Sequence, residues 1–174
     1  LDIPAVSAIA HEAGVPLLVD STLTTPYLVN PFELCADMVY HSATKFLCGH
    51  GTVLGGVVVD GGRFDWMASE RFPELTQPYE GFHGMVFAEE STVAPFLLRA
   101  RREALRDFGA CLSPMNAFQI LQGIETLSLR MQRHVSNTLE VAHFLESHAQ
   151  VRKVSYPGLA SHPDHELAKR LMPK

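Results

Sequence analysis

The sequence predicts an α/β fold, and three short apolar runs set between helical stretches carry that prediction. Val15-Pro16-Leu17-Leu18-Val19 ends on Asp20. Met38-Val39-Tyr40 feeds a glycine-containing stretch, His41 to Thr52. Val53 to Val59 is closed by the turn signal Asp60-Gly61-Gly62. The runs are too brief to fix strand order or direction.

Taken in order, Asp2 and Pro4 mark a helix start and Gly14 its stop, with apolar residues at 5, 6, 9, 10 and 13 forming one face expected to be buried. A strand follows over 16 to 19. After the polar residues Ser21 to Thr25, Asn30-Pro31 opens a short helix, and Met38 to Tyr40 forms the next strand. Residues 63 to 90, with Pro73, Pro78, Gly81 and Gly84 interspersed, read as a long surface segment with little regular structure. Ser91 is expected to start a helix that tolerates Pro95 and carries Arg99, Arg101, Arg102 and Arg106. These arginines could bind phosphate, or form a solvated face laced with Glu103 and Asp107.

Ser113-Pro114 is a capped helix start, and apolar periodicity continues from it through Leu145. Unbroken, a helix of roughly 35 residues would span about 50 Å, though Gly123 and Glu125-Thr126 are candidate interruptions. Val151 to Tyr156 reads as a strand closed by Pro157-Gly158, and a last short helix is expected from about 164 to 172.

With 47% hydrophobic and 19% charged residues, 174 residues can bury one sizeable core, or one domain and part of another. The formal net charge of −5 leaves no basic field for nucleic acid or for an anionic membrane surface. No apolar stretch reaches the length of a membrane span and no secretory signal opens the chain, which points to the cytoplasm. Cys35, Cys48 and Cys111 are odd in number and far apart, so no disulfide framework is expected, and Cys48 reads as a small buried hydrophobe. His162-Pro163-Asp164-His165 lacks a third metal ligand nearby; a Pro-Asp turn capping the next helix accounts for the acid.

The chemistry centres on Lys45. The other three lysines, Lys153, Lys169 and Lys174, stand in charged or turn-rich sequence, whereas Lys45 follows Ser42 and Thr44 and precedes an apolar pair and Gly49, Gly51, Gly55 and Gly56. An amine among apolar neighbours becomes a Schiff-base nucleophile, and hydroxyls with permissive backbone suit a bound phosphate. Asp20, at the carboxyl end of a strand, points to the crevice where α/β sheets bind ligands; opposite a pyridine nitrogen it would keep that nitrogen protonated. On spacing alone, a solvated lysine at a strand end and an Asp20 that merely caps a turn stay open.

Val19-Asp20-Ser21-Thr22 through Thr25-Pro26-Tyr27-Leu28, then Pro31-Phe32-Glu33, Ala36-Asp37 and His41 through Gly51 resemble the Cys/Met metabolism enzymes that use pyridoxal 5'-phosphate (PLP). Gly49-His50-Gly51-Thr52, Gly55-Gly56 and Asp60 through Trp66 resemble the O-acetylhomoserine sulfhydrylases within them. Leu112-Ser113-Pro114, Gln122 through Leu127, Arg130-Met131 and Tyr156-Pro157-Gly158-Leu159 extend the likeness over essentially the whole chain. Ser21 stands where the family usually has Asn, and Cys48 where the sulfhydrylases usually have Gly.

The resemblance implies a fold type I PLP-dependent transferase (aspartate aminotransferase-like): residues 1–115 from the large cofactor domain, 116–174 a connecting helix and the start of the small carboxyl-terminal α/β domain. It implies Lys45 as the lysine that carries PLP, Asp20 on the ring nitrogen, Ser42 and Thr44 on the phosphate, and Thr22 in support of Asp20 or the ring. The implied reaction is γ-replacement, O-acetyl-L-homoserine with sulfide or a small thiol giving homocysteine (or methionine) and acetate. Its partners are small molecules, neither nucleic acid nor membrane, and its assembly is a homo-oligomer, a homotetramer. Cystathionine or methionine γ-lyase and cystathionine γ-synthase activity stay open, as does an inactive fragment or interaction module. The resemblance also places the glycine segment that holds the phosphate, the aromatic that stacks on the ring, the asparagine facing its hydroxyl and the arginine for the substrate carboxylate outside these 174 residues.

Overall fold

The structure, a computed structural model, describes residues 1–172; Lys174, one of the lysines in charged or turn-rich sequence, lies outside them. Three strands form one sheet in the order β1 (Leu18–Asp20), β2 (Met38–Ser42), β3 (Gly56–Asp60). β1 runs parallel to β2 with Asp20 opposite Tyr40, and β3 returns antiparallel with Gly56 opposite Ser42. The two parallel strands therefore end at the same edge of the sheet. That edge carries Asp20, Ser42 and the turn that leads to Lys45.

Asp2 caps α1 (Ile3–Glu12) through the Ala5 N–H at 3.4 Å, and Gly14, at φ 67°, follows the helix end. The apolar face expected to be buried is open, with Ile9 68% exposed. What holds α1 is polar: Ser7 Oγ donates to the Cys35 carbonyl at 2.7 Å, and His11 Nε2 meets Asp37 Oδ2 at 2.8 Å. Asp37 is buried and also accepts the Leu17 N–H at 2.7 Å, so one carboxylate ties α1 to the starts of β1 and β2. Two short turns, α2 (Thr25–Leu28) and a 3-10 turn at Pro31–Leu34 capped by Asn30, join β1 to β2.

Residues 63 to 90 hold little regular structure, as expected, but they are not a surface segment throughout. They hold α3 (Pro73–Thr76), a 3-10 turn at Glu80–Phe82 and α4 (Phe87–Glu90), folded around a cluster in which Trp66, Leu75 and Phe87 are buried with Met38 of β2. Trp66 meets Phe64 and Phe72 edge-on at 5.0 and 5.1 Å and stacks on Phe96 at 6.1 Å. The prolines and glycines shape turns between aromatic anchors, and burial of those rings supplies the order that helical periodicity does not.

Ser91 does not start a continuous helix either. Its Oγ accepts the Ala94 N–H at 3.1 Å, and α5 (Pro95–Ala100) then widens into a π-helical turn at Arg101–Asp107. The arginines there are engaged locally: Arg99 with Glu103 at 2.8 Å and over the Tyr79 ring at 4.9 Å, Arg106 with Asp107 at 2.6 Å and over Phe82 at 4.0 Å. This is the solvated, ion-paired face weighed above.

The long helical stretch breaks once, at Thr126, into α6 (Pro114–Glu125) and α7 (Leu127–Ser147). Ser113 Oγ caps α6 on the Asn116 N–H at 3.1 Å. Residues 151–156 form no strand: among the described residues β1, β2 and β3 pair only with one another, and an extended segment without a ladder partner remains unpaired chain. α8 (His165–Leu171) closes the described chain, with Arg170 on the carboxylate of Asp2 at 2.8 Å. The Asp164 side chain does not cap α8; its N–H donates to His162 Nδ1 at 3.1 Å instead.

Candidate active site

Asp20 is the last residue of β1 and is exposed at the carboxyl edge of the sheet. Its Oδ1 accepts the Thr22 N–H at 3.0 Å. The Thr22 hydroxyl and then the Thr22 backbone hold the carboxyl below its usual range, the nearby His41 adds to this, and slight desolvation works weakly against them. The same hydroxyl accepts the Ser42 N–H at 2.8 Å. Thr22 thus bridges the acid to the end of β2, where the chain turns toward Lys45.

The floor beneath is made of backbone bonds and one histidine. Ser21 N–H donates to the Tyr40 carbonyl at 2.9 Å, and buried His41 lies with Nδ1 3.1 Å from the Ser21 carbonyl. Ser21 is itself buried, its Oγ 2.6 Å from Thr24 Oγ1. Thr25 is fully buried at φ 58°, a conformation a β-branched residue adopts only when its surroundings impose it. The turn beyond Asp20 is therefore tightly specified.

After Ser42 the chain makes a hydrogen-bonded turn: Lys45 N–H to the Ser42 carbonyl at 3.2 Å, Cys48 N–H to Ala43 at 3.0 Å and Gly49 N–H to the Lys45 carbonyl at 2.8 Å. Ala43, Leu47 and Cys48 face inward, packed with Val53, Ile120, Leu127 and Met131. Lys45 faces the other way and is exposed, so the shielding by apolar neighbours expected from the sequence is not supplied by these residues. Its flanking apolar pair packs beneath the turn instead. Among the described residues neither Lys45 Nζ nor Ser42 Oγ has a hydrogen-bond or ionic partner. Thr44 differs: its hydroxyl donates to the Gly55 carbonyl at 3.3 Å and accepts the Gly55 N–H at 3.1 Å.

Cys48 is fully buried; the His50 N–H lowers the pKa of its thiol and burial opposes that. It fills core space and does not reach a site with Lys45. Among the described residues no group of three or more His, Cys, Asp or Glu could hold a metal ion, and no helix is long and apolar enough to cross a membrane.

Two residues to which sequence reasoning gave no role complete this region. Arg130 of α7 reaches back to the turn after Lys45, and Gly123 of α6 lies where a Cβ would stand 2.0 Å from the Cys48 carbonyl oxygen. Their sequence signals were membership of the Gln122-to-Leu127 and Arg130-Met131 motifs and, for Gly123, its reading as a candidate helix interruption, whereas α6 continues through it to Glu125.

A family profile described as Cys/Met metabolism PLP-dependent enzyme matches residues 1–174. The chain is 50% identical over 173 residues to a homocysteine synthase of Schizosaccharomyces pombe and 48% identical over 178 residues to an O-acetyl-L-homoserine sulfhydrylase of Leptospira meyeri, in each case over 98% of this chain and 40% of the relative. It spans about 40% of the length of these curated relatives. A Campylobacter jejuni crystal structure described as an O-acetylhomoserine (thiol)-lyase with a pyridoxyl-lysine superposes with a TM-score of 0.94 at 35% identity, over 99% of this chain and 43% of that one. With a strand-edge acid, an unpartnered lysine and a profile match over its whole length, the chain belongs to the Cys/Met metabolism PLP-dependent enzymes.

Proposed function

We propose that the protein to which these residues belong catalyses γ-replacement on O-acetyl-L-homoserine: the Cγ–O bond to acetate breaks and a Cγ–S bond to sulfide or a small thiol forms. The observation that carries this reading is the shared edge of the two parallel strands. An acid whose carboxyl is held ionised ends one strand, is bridged by Thr22 to Ser42 at the end of the other, and an unpartnered lysine stands three residues on. The names of the relatives supply the substrate.

The donor set fits PLP. Asp20 offers a carboxyl that the Thr22 hydroxyl and N–H hold below its usual range, as a partner for a protonated ring nitrogen requires. Ser42 Oγ is free to donate to a phosphate oxygen, and Lys45 Nζ is free to hold the aldehyde carbon. When bound, PLP supplies an electron sink that stabilises a carbanion beside the amino group. Lys45 then moves protons at the substrate Cα and Cβ, while Asp20 holds the proton on the ring nitrogen. Thr22 keeps Asp20 aimed and ionised. Thr44 reaches a phosphate only by exchanging its 3.3 Å bond to Gly55, the longer of its two, so its contribution is secondary to that of Ser42.

In this reading residues 1–115 belong to the large domain and 116–174 lead into the small carboxyl-terminal domain, in a cytoplasmic homo-oligomer. The test is to supply the complete protein with O-acetyl-L-homoserine and sulfide and measure homocysteine and acetate. Equal release of both supports γ-replacement. A 2-ketoacid and ammonia formed without any thiol would assign γ-elimination instead.

A further inference from the structure

Arg130 lies on α7, far from Lys45 in sequence, yet its guanidinium closes on the turn that carries Lys45. Nη1 donates to the Phe46 carbonyl at 2.9 Å, and Nη2 to the Gly123 carbonyl at 2.7 Å and, more weakly, to Leu47 at 3.5 Å. Nε donates to Thr126 Oγ1 at 3.1 Å. Among the described residues no carboxylate pairs with Arg130, so the planar fork is spent on neutral acceptors. One of them, the Gly123 carbonyl in the last turn of α6, also accepts the Thr126 N–H at 3.4 Å and the Thr126 hydroxyl at 3.3 Å, so Arg130 joins the hydrogen bonds that end the helix.

Two glycines make this approach possible. A Cβ on Gly49 would stand 2.5 Å from Arg130 Cζ, and Gly49 is at φ 75°; a Cβ on Gly123 would strike the Cys48 carbonyl. The guanidinium therefore lies over the end of the Lys45 turn while α6 lies against it. The two peptide carbonyls that follow Lys45 are fixed to the break between α6 and α7.

We propose that Arg130 is a positioning residue for Lys45, clamping the Phe46 and Leu47 carbonyls to the α6–α7 break so that the lysine stem leaves the turn in one direction. The proposal rests on the reading of Lys45 as the cofactor-bearing lysine. A proton-transferring amine must be held in register with its carbon, and a misplacement of about 1 Å costs on the order of a hundredfold in rate. Lysine at this position carries the charge but not the fork, so it cannot hold both sides of the break.

The test uses the complete protein with PLP added, comparing wild type, R130A and R130K. Three readouts are taken: absorbance of the bound cofactor, pyridoxyl mass on the Lys45 peptide after borohydride reduction, and kcat and KM for O-acetyl-L-homoserine. In both variants Lys45 is expected to be labelled stoichiometrically, with kcat per bound cofactor lower by roughly 10- to 100-fold, KM within about threefold, and an altered absorbance band. A purely structural role would lower thermal stability and leave kcat per bound cofactor unchanged; that result overturns the proposal. Should R130A fail to fold, R130K decides: kcat at the wild-type value overturns the clamp, and a matching loss supports it. Wild type without an adduct on Lys45 would overturn the cofactor reading and the clamp together, whereas labelled Lys45 with unaffected variants overturns the clamp alone.

Discussion

The turn from Ser42 to Val53 and the segment from Arg63 to Asp107 both depart from regular strand and helix, but different forces hold them. The turn is built on backbone polarity: amide bonds within it, a guanidinium capturing its carbonyls, and α6 pressed so close that only glycine fits at 123. The later segment is built on rings. Trp66, Phe64, Phe72, Phe96 and Phe87 pack on one another and on β2, and the arginines lie over ring faces. The first arrangement specifies direction, which a reacting amine needs; the second supplies stability and tolerates small shifts. Perturbing the turn should therefore damage turnover beyond its cost in stability, and perturbing the aromatic segment should do the reverse.

The sharpest contrast comes from Lys45→Ala, which in the complete protein is expected to abolish turnover while leaving thermal unfolding close to wild type, since the side chain is exposed and unpartnered. Normal turnover would remove Lys45 from the chemistry. In the aromatic segment, Trp66→Ala is expected to cost about 3–5 kcal/mol in denaturant unfolding, as for other buried large-to-small changes, with kcat of the folded fraction changed little. A selective loss of kcat there would erase the distinction between the two regions.

Gly123→Ala sits between these cases. The added methyl meets the Cys48 carbonyl at 2.0 Å, so α6 must retreat; about 1–3 kcal/mol of stability should be lost, with kcat falling as the Lys45 turn loosens. The smallest expected effect is that of Thr22→Val. The Thr22 hydroxyl lowers the Asp20 pKa, so removing it moves that pKa upward toward the ordinary carboxylate value. Asp20 then protonates sooner as pH falls, and the acid limb of the pH–rate profile shifts to higher pH. Carboxyl NMR titration of Asp20 would report the shift directly, and an unchanged value would deny Thr22 its role.

What could be read in advance follows from how local each signal is. Asp2, Asn30 and Ser113 announce helix starts because a cap acts within three residues, and β1 to β3 stand out as apolar runs between turn signals. The places of Asp20 and Lys45 in the fold were legible because one ends a strand and the other follows a strand end by three residues. The aromatic cluster was hidden because its rings recur at no fixed period and its order comes from contacts across the fold. Arg130 was hidden for a related reason: apart from the Thr126 hydroxyl its partners are backbone carbonyls, one of them 84 residues away, and a carbonyl has no letter in the sequence. Val151 to Tyr156 shows the converse, since its composition suits a strand but pairing is decided elsewhere in the chain.

The most direct test of the central claim is to mix the complete protein with PLP, reduce with borohydride and map the labelled peptide. The account predicts one pyridoxyl group per chain, on Lys45 and on none of the other lysines. Stoichiometric label on a different lysine, or label scattered among several, would contradict it.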